Sequence, residues 1–383
     1  MNVDVTAGAV AVVGGGVIGL SVAWRLAESG YRVVLVDPAP RSGGSWVAGG
    51  MLAPVTESWP GEEEVLALGS ASLARWPDFA ERLRAAGGDP GLRTEGTLAV
   101  ALDSADAETL AVLADHLREL GREVERLSGR QLRALEPGLG SRVRSGLHVP
   151  GDLAVDTRET LRALHAAAAG AGVEFVTVAA RSVGPNVVEL ADESTVECAV
   201  VVITAGAWSG GLHPGLAGLV RPVKGEILRL RARPGALPVP TRTIRAHVES
   251  RPVYLVPRES GELVLGATQH EVGFDTEVTA ASVLDLLRDA QQVLPGIGEY
   301  ALTETAAGLR AGSPDNLPII GVLEPGVLVA TGHHRNGLLL APVTAEAVLS
   351  ILRAEELPAA VRAADPSRLR GVPALPSPAG GPR

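Results

Sequence analysis

A glycine-rich turn near the start of the chain sets the strongest limit on its fold. The segment reads Val10-Ala11-Val12-Val13-Gly14-Gly15-Gly16-Val17-Ile18-Gly19, in which four small apolar residues predict a buried strand and glycines follow at the first, third and sixth positions. A helix-favouring stretch comes next, and a second apolar strand ends at Asp37. A strand, a glycine turn, a helix and an acid about 20 residues after the glycines form the pattern of a dinucleotide-binding unit.

Three of these glycines have separate roles in such a unit. Gly14 permits a tight turn, Gly16 lets the backbone approach a pyrophosphate, and Gly19 lets the helix lie close to the strand. The free amides and the positive dipole end of the helix would then face the phosphates. A glycine pattern alone is weak evidence in a chain with 46 glycines, but the strand and the acid around it favour a nucleotide site over an ordinary loop. They do not choose between NAD and FAD.

Composition and charge exclude several classes of function. The 383 residues are 46% hydrophobic and 20% charged, which is typical of a globular protein with room for two domains. A net charge of −10 without any basic run argues against nucleic acid as a partner. The first eight residues do not resemble a secretory signal and no apolar run reaches 18 residues, so we expect no membrane span and a cytoplasmic protein. The single cysteine, Cys198, excludes an internal disulfide, and its apolar setting predicts a position in a core strand.

The order of apolar strands predicts an α/β protein, α+β overall, with two domains. Strands of the parallel-sheet type occur at the start, at residues 196–203 and at residues 327–330, whereas the sections between them have hairpin spacing. We therefore predict a Rossmann-like domain with a parallel sheet, made of residues 1–85, 151–215 and 305–370. An antiparallel-sheet substrate domain takes residues 86–150 and 216–304. The Pro- and Gly-rich residues 371–383 are predicted to be a disordered tail.

Three local patterns give further expectations. Residues 38–54 are rich in glycine and small residues, and we expect a loop wrapped against a large flat ligand. Residues 65–86 have apolar positions at helical spacing, which predicts one amphipathic helix. A second amphipathic helix is expected over residues 104–120, with Ser104 as its N-cap.

The last strand, loop and helix have the same arrangement as the strand, glycine turn and helix at the start of the chain. The loop Thr331-Gly332-His333-His334-Arg335-Asn336-Gly337 precedes a helix whose N-terminus would face the same ligand. A reduced flavin is an anion, which the positive end of a helix stabilises, whereas a nicotinamide does not need such stabilisation. The second helix N-terminus therefore favours FAD over NAD. The two adjacent histidines point in different directions without further ligands, so no metal site is expected. His148 and His247 have no spacing partners and are interpreted as structural.

Four stretches together resemble the D-amino-acid oxidase family of flavoenzymes. They read VGGGVIG at residues 13–19, AGGMLA at 48–53, VKGE at 223–226 and TGHHRNGLLLAP at 331–342, and AGLR at 307–310 and YLVPR at 254–258 match as well. The resemblance covers nearly the whole chain. It implies non-covalent FAD and a substrate over the flavin face, with its carboxylate held by arginine and tyrosine side chains. By position, the residues implied on the substrate side are Tyr254, Arg310, Arg335 and Ala53.

The chemistry of a carboxylate site agrees with this assignment, because a guanidinium offers a bidentate fork to a carboxylate buried beside an apolar ring. Surface ion pairs for the arginines and core packing for the tyrosine are the alternative interpretations. Residues 245–252 and Gln269 depart from the family pattern on the substrate side. The residues expected against FAD are Gly14, Gly16, Val17, Ile18, Gly19, Asp37, Pro38, Gly44, Ser45, Gly49, Gly50, Met51, Ala180, Gly206, Gly332, His333, His334, Asn336, Gly337 and Leu338.

The resemblance also implies the reaction. Hydride passes from the α-carbon of glycine, or of another small amine or D-amino acid, to the flavin without a dedicated acid or base. The imino acid then hydrolyses, and molecular oxygen is reduced to hydrogen peroxide. The product would supply thiazole synthesis for thiamine, and a homo-oligomer, either dimer or tetramer, is expected.

Three other functions remain open at this point. A D-amino-acid dehydrogenase or a sarcosine oxidase shares the scaffold, because oxygen access depends on the shape of a channel. A non-catalytic nucleotide-binding protein would leave Arg310 and Arg335 without a purpose.

Overall fold

A computed structural model of the chain describes residues 8–371, so the predicted tail beyond residue 371 and the first seven residues lie outside the described part. The strands within it are β1 (Val10–Val13), β2 (Val33–Val36), β3 (Met51–Leu52), β4 (Thr97–Ala101), β5 (Glu125–Ser128), β6 (Ser145–Val149), β7 (Leu153–Ala154), β8 (Glu174–Val176), β9 (Ala180–Gly184), β10 (Val187–Leu190), β11 (Thr195–Glu197), β12 (Val200–Ile203), β13 (Arg221–Arg231), β14 (Thr243–Val248), β15 (Arg251–Pro257), β16 (Glu262–Gly266), β17 (Ala301–Gly312), β18 (Ile319–Glu324) and β19 (Val327–Thr331). The helices are α1 (Val17–Glu28), α2 (Gly43–Val47), α3 (Glu63–Leu73), α4 (Trp76–Ala86), α5 (Ser104–Glu119), α6 (Gly129–Leu135), α7 (Thr157–Gly170), α8 (Ala280–Val293) and α9 (Gly337–Leu352).

A six-stranded sheet brings together three distant parts of the chain. Its order is β18-β19-β12-β1-β2-β8, and β1 pairs in parallel with both β12 and β2, while β18 is antiparallel at one edge. The residues of β1, β2 and β12 are buried throughout, as expected of parallel strands covered on both faces. Helices α7 and α9 both contact α1 within the apolar core on one side of the sheet. The predicted α/β fold class with a Rossmann-like parallel sheet is confirmed.

The second large sheet is mainly antiparallel. Its order is β17-β13-β16-β15-β14-β4-β6-β5, with one parallel pair between β14 and β4. The long strands β13 and β17 pair over most of their length, and the predicted hairpin is present as β15 and β16. Helix α8 packs on this sheet through a separate apolar core. The boundary that the sequence suggested between residues 304 and 305 falls inside β17.

Two helix predictions need correction. The single helix expected over residues 65–86 is two helices, α3 and α4, which are separated at Ala74 and Arg75. Pro77 lies in the first turn of α4, where its ring would clash with the carbonyl of a continuous helix four residues earlier. The N-cap of α5 is Asp103 instead of Ser104, because the Asp103 carboxylate accepts a hydrogen bond of 2.9 Å from the amide of Asp106.

Two other local expectations also differ from the structure. The stretch over residues 38–54 is not all loop, since it contains the short helix α2 and the two-residue strand β3. The apolar run at residues 196–203 is divided between β11 and β12, which belong to different sheets. Cys198 lies between these strands, half-buried, and burial raises the pKa of its thiol to about 11.

One helical segment of the described residues, His334–Arg353, is long and apolar enough to cross a membrane by length and composition alone. It includes α9, and 72% of its apolar window is buried inside the structure. A core helix has the same composition, and the contacts of α9 with α1 and α3 place it in the core.

Candidate functional site

A cavity of about 1350 Å³ lies between the two large sheets. Its walls come from the glycine turn, from α2 and β3, from the ends of β12 and β19, and from β13, β14, β15 and β17. Sites for small ligands usually have volumes of about 300–1,000 Å³. The cavity therefore has room for a cofactor and a small substrate together.

The glycine turn forms one end of this cavity and cannot hold larger residues. Gly14 has a φ of +112°, and a Cβ atom there would lie 2.5 Å from the carbonyl oxygen of Thr204. At Gly19, a Cβ atom would lie 1.7 Å from the carbonyl oxygen of Gly14. The first glycine thus permits the turn, and the last allows α1 to lie against it, as the sequence predicts.

Asp37 and Ser45 fix the shape of the turn through hydrogen bonds. The carboxylate of Asp37 accepts from the amide of Gly15 at 2.6 Å and from the amide of Ala39 at 2.7 Å. The hydroxyl of Ser45, in α2, accepts from the amide of Val17 at 3.1 Å. The acid at the end of β2 is therefore held beside the N-terminus of α1, where a ribose and a pyrophosphate could be bound together.

Most of the residues predicted against FAD line this one cavity, and the cradle of glycines and amides fits a dinucleotide. Gly19, Gly332 and Asn336 do not line it; Gly19 instead supports the turn from behind. The predicted residues that do line it are Gly14, Gly16, Val17, Ile18, Asp37, Pro38, Gly44, Ser45, Gly49, Gly50, Met51, Ala180, Gly206, His333, His334, Gly337 and Leu338.

The two adjacent histidines are neutral groups at the N-terminus of α9. His333 is buried, its Nε2 atom is 3.0 Å from the hydroxyl of Thr344, and burial lowers its pKa to about 3. Burial, reinforced by Arg310, lowers the pKa of His334 to about 3 as well. Within residues 8–371, no group of three or more His, Cys, Asp or Glu side chains could hold a metal ion.

Arg310 and Tyr254 meet on the side of the cavity that belongs to the large antiparallel sheet. Arg310 Nη1 donates to the carbonyl oxygens of Thr268 at 3.2 Å and Lys224 at 3.4 Å. Burial lowers the pKa of Arg310, and the charge of Glu57 is among the effects that oppose this. The ring of Tyr254 lies against Gly49, where a Cβ atom would be 2.7 Å from Cε2. Burial raises the pKa of Tyr254, with Arg310 opposing, so its hydroxyl stays protonated at neutral pH.

Arg335 and Ala53 have different surroundings from these two residues. Arg335 lines the cavity, but its Nη2 atom donates to Glu62 at 3.2 Å, and its Nε atom lies 3.7 Å from Glu57. Ala53 is 1% exposed and does not line the cavity. The structure therefore brings Tyr254, Arg310 and Arg335 to one cavity, whereas Ala53 is buried and is not among its lining residues.

Residues 245–252 were expected on the substrate side without roles for single residues, and several of them line the cavity. Arg245 forms an ion pair with Glu57, and His247, which was interpreted as structural, lies 6.3 Å from the ring of Trp59. Arg245 and His247 are two positions apart in β14 and only half-buried, whereas their neighbours are buried. This alternation of polar and apolar residues was the signal that could have identified a strand with one face toward a cavity.

The chain is similar to known proteins along most of its length. A family model described as DAO, FAD dependent oxidoreductase, matches residues 9–350. A glycine oxidase of Geobacillus kaustophilus is 33% identical over 358 residues, which cover 91% of this chain and 93% of the relative. A relative from Rhizobium etli that bears the name thiamine biosynthesis oxidoreductase ThiO is 34% identical and matches 90% of this chain and 96% of its own length. The crystal structure of a glycine oxidase from Geobacillus kaustophilus superposes with a TM-score of 0.86 at 31% identity, covering 94% of this chain and 98% of that one.

Proposed function

This chain belongs to the DAO family of FAD-dependent oxidoreductases, and from that membership we propose that it oxidises glycine, together with other small amines or D-amino acids, in the cavity between its sheets. FAD is the cofactor, and the chain is an FAD-dependent amino-acid oxidase. In this cavity FAD would supply the acceptor for the two electrons of the amine, and it would pass them to molecular oxygen, which is released as hydrogen peroxide. Water then hydrolyses the imino acid to the keto acid and ammonia.

The observation that supports this substrate most strongly is the unpaired charge of Arg310. Among residues 8–371 its guanidinium donates hydrogen bonds only to backbone carbonyls, so a bidentate carboxylate could take its remaining N–H donors. The protonated hydroxyl of Tyr254 can donate to the same carboxylate. Arg310 and Tyr254 would thus bind and orient an α-amino acid at the cavity wall.

The surrounding charges favour a substrate with one carboxylate. Arg245 and Arg335 are paired with Glu57 and Glu62, so two positive and two negative side chains offset each other. Arg310 is in no ion pair among the described residues and interacts with Glu57 only through its more distant charge, so it can take up the single negative charge of glycine with a neutral amine. The other arginines that line the cavity within residues 8–371 are in ion pairs, so a second carboxylate on the substrate would have to be desolvated without a free guanidinium as partner.

Release of hydrogen peroxide from a panel of substrates tests the proposal. The purified protein, loaded with FAD, is given glycine, sarcosine, D-alanine, D-proline and the dicarboxylate iminodiacetate in air. We expect the highest kcat/KM for glycine, and a value at least about tenfold lower for iminodiacetate, corresponding to about 1.4 kcal/mol for its unpaired carboxylate. A protein that remains colourless after FAD is added, or that releases no peroxide with any of these compounds, would contradict the proposal.

We further propose a biological setting and an organisation for this enzyme. The name of the Rhizobium etli relative supports a role in supplying thiazole synthesis for thiamine, and we place the protein in the cytoplasm as a homo-oligomer, either dimer or tetramer. We propose an FAD-binding domain made of residues 1–85, 151–215 and 305–370, ranges that contain the whole six-stranded sheet, although residues 305–312 belong to β17 of the eight-stranded sheet. Residues 86–150 and 216–304 then form the substrate domain, whose sheet carries Tyr254.

A further inference from the structure

Lys224, Gly225 and Glu226 form a motif in β13 to which the substrate site above assigns no role. Successive residues of a strand point to opposite faces, so the two charged side chains share one face and Gly225 has the other. Lys224 Nζ donates to Asp275 at 2.6 Å and lies 3.7 Å from the carboxylate of Glu226, and both residues are buried. The side chains of Lys224 and Glu226 therefore lie on the face of β13 opposite to Gly225 and Arg310.

Gly225 lies directly beneath the guanidinium of Arg310. A Cβ atom on Gly225 would lie 2.3 Å from Arg310 Nη1 and 2.5 Å from both Cζ and Nη2, and these are the three nearest heavy atoms to it. The backbone of Gly225 is not in the left-handed region, so its own conformation accepts an L-residue. The closest atoms that a side chain at this position would meet therefore belong to Arg310.

Residues of β13 also position the carbonyl oxygens that accept hydrogen bonds from the guanidinium of Arg310. Lys224 supplies one accepting carbonyl oxygen, and Thr268 supplies the other. The hydroxyl of Thr268 donates to Glu226 at 2.8 Å and accepts from the backbone amide of Glu226 at 2.9 Å. Glu226 thus holds Thr268 in place, while Gly225 provides the flat surface on which the guanidinium lies.

We propose that Gly225 is a positioning residue for the substrate carboxylate, a role that rests on the proposed function of Arg310. It acts through Arg310, because only a glycine here lets the guanidinium lie flat on β13 and keep its outer donors toward the cavity. Any side chain at this position lifts the guanidinium and misaligns the carboxylate of the bound amino acid. A displaced guanidinium loses charge-assisted hydrogen bonds to the carboxylate, so we expect the main effect of a small side chain to be weaker binding.

The variant Gly225→Ala tests this, with Gly184→Ala as a matched control. Gly184 is also a strand glycine, and a Cβ atom there would have its nearest neighbour at 3.9 Å, in the small separate sheet. For each FAD-loaded protein we would measure the dissociation constant of acetate, a carboxylate without the amine, from the change in flavin absorbance, and the KM and kcat for glycine. We expect Gly225→Ala to raise the acetate dissociation constant and the glycine KM about tenfold or more, with kcat changed far less, and Gly184→Ala to change neither.

Arg310→Ala and the double variant Gly225→Ala/Arg310→Ala separate this inference from the proposed function. If Arg310→Ala leaves acetate binding unchanged, the proposed function of Arg310 is wrong. If Arg310→Ala weakens acetate binding but Gly225→Ala does not, only the role of Gly225 is overturned. The double variant lacks the Arg310 atoms that would clash with the new Cβ atom. We therefore expect it to bind acetate as Arg310→Ala does, and to fold even if Gly225→Ala alone does not. A further loss of acetate binding in the double variant, or its misfolding, would contradict the proposal.

Discussion

Asp152 is a fully buried carboxylic acid between β6 and β7. Its Oδ2 atom accepts from the hydroxyl of Thr56 at 2.6 Å, while no hydrogen-bond partner for Oδ1 is present among the described residues. Burial raises the pKa of Asp152 to about 7, and the hydrogen bond from Thr56 and the charge of Arg245 oppose that increase. Thr56 and Arg245 line the cavity, so Asp152 holds one of the lining side chains, that of Thr56, through its hydrogen bond.

The raised pKa of Asp152 predicts a loss of stability with rising pH. An aspartate has a pKa of about 3.9 in an unfolded chain, so the folded protein binds more protons between about pH 4 and pH 7, and its unfolding free energy falls as the pH rises through that window. The variant Asp152→Asn keeps an acceptor for Thr56 and cannot ionise. We therefore expect a stability advantage over the wild type at pH 8, on the order of a few kcal/mol, that shrinks toward pH 5.

Denaturant unfolding of the FAD-loaded proteins at pH 5 and pH 8 checks this expectation. The exposed side chain of Glu108, changed to Gln, serves as a control for the removal of one negative charge. Equal pH dependence in Asp152→Asn and the wild type would show that Asp152 is not the group that titrates.

Local sequence could identify candidate site residues, but it could not show which of them form ion pairs in the folded protein. The glycines around Arg310 marked it as unusual for a surface arginine, and the structure does place it in the cavity wall. The sequence could not separate Arg310 from Arg335, because the carboxylates that neutralise Arg335, Glu57 and Glu62, lie more than 270 residues away in the chain. Which of two arginines has a free charge is a property of the folded molecule.

At the scale of elements, the cap of α5 gives a local test. The carboxylate of Asp103 accepts from the amide of Asp106, whereas Ser104 is the first residue of the helix and makes no capping bond. We expect Asp103→Ala to lower the free energy of unfolding by about 1 kcal/mol and Ser104→Ala to change it by much less. Chemical denaturation of the two variants compares them directly, and an equal or larger effect from Ser104→Ala would show that the serine is the cap.

The elements that the sequence missed share a physical cause. Helix α2 consists of Gly43, Gly44, Ser45, Trp46 and Val47, which have little intrinsic helix preference, so its helical turn depends on contacts with β17 and α7. The break between α3 and α4 was visible in principle, because Pro77 stands in the middle of the apolar pattern. Periodicity alone does not show that a proline starts a second helix.

At the scale of the whole molecule, the sequence indicated how the chain returns to one sheet. Apolar runs at the start, middle and end predicted the parallel strands β1, β12 and β19, and these are neighbours in the six-stranded sheet. The sequence did not indicate how the eight-stranded sheet is placed against it. That placement depends on many long-range contacts, including those of α2 with β17, and it creates the cavity in which the glycine turn, α9 and Arg310 meet.

We propose that this cavity holds FAD beside the guanidinium of Arg310, which binds the carboxylate of glycine. Mixing the FAD-loaded protein with glycine in the absence of oxygen, while recording the visible absorbance of the flavin, tests it most directly. We expect complete loss of the oxidised flavin spectrum at a rate that saturates with glycine concentration, and a half-saturating concentration at least about tenfold higher in Arg310→Ala. A flavin that stays oxidised at saturating glycine, or an Arg310→Ala variant that is reduced with the same concentration dependence as the wild type, would contradict it.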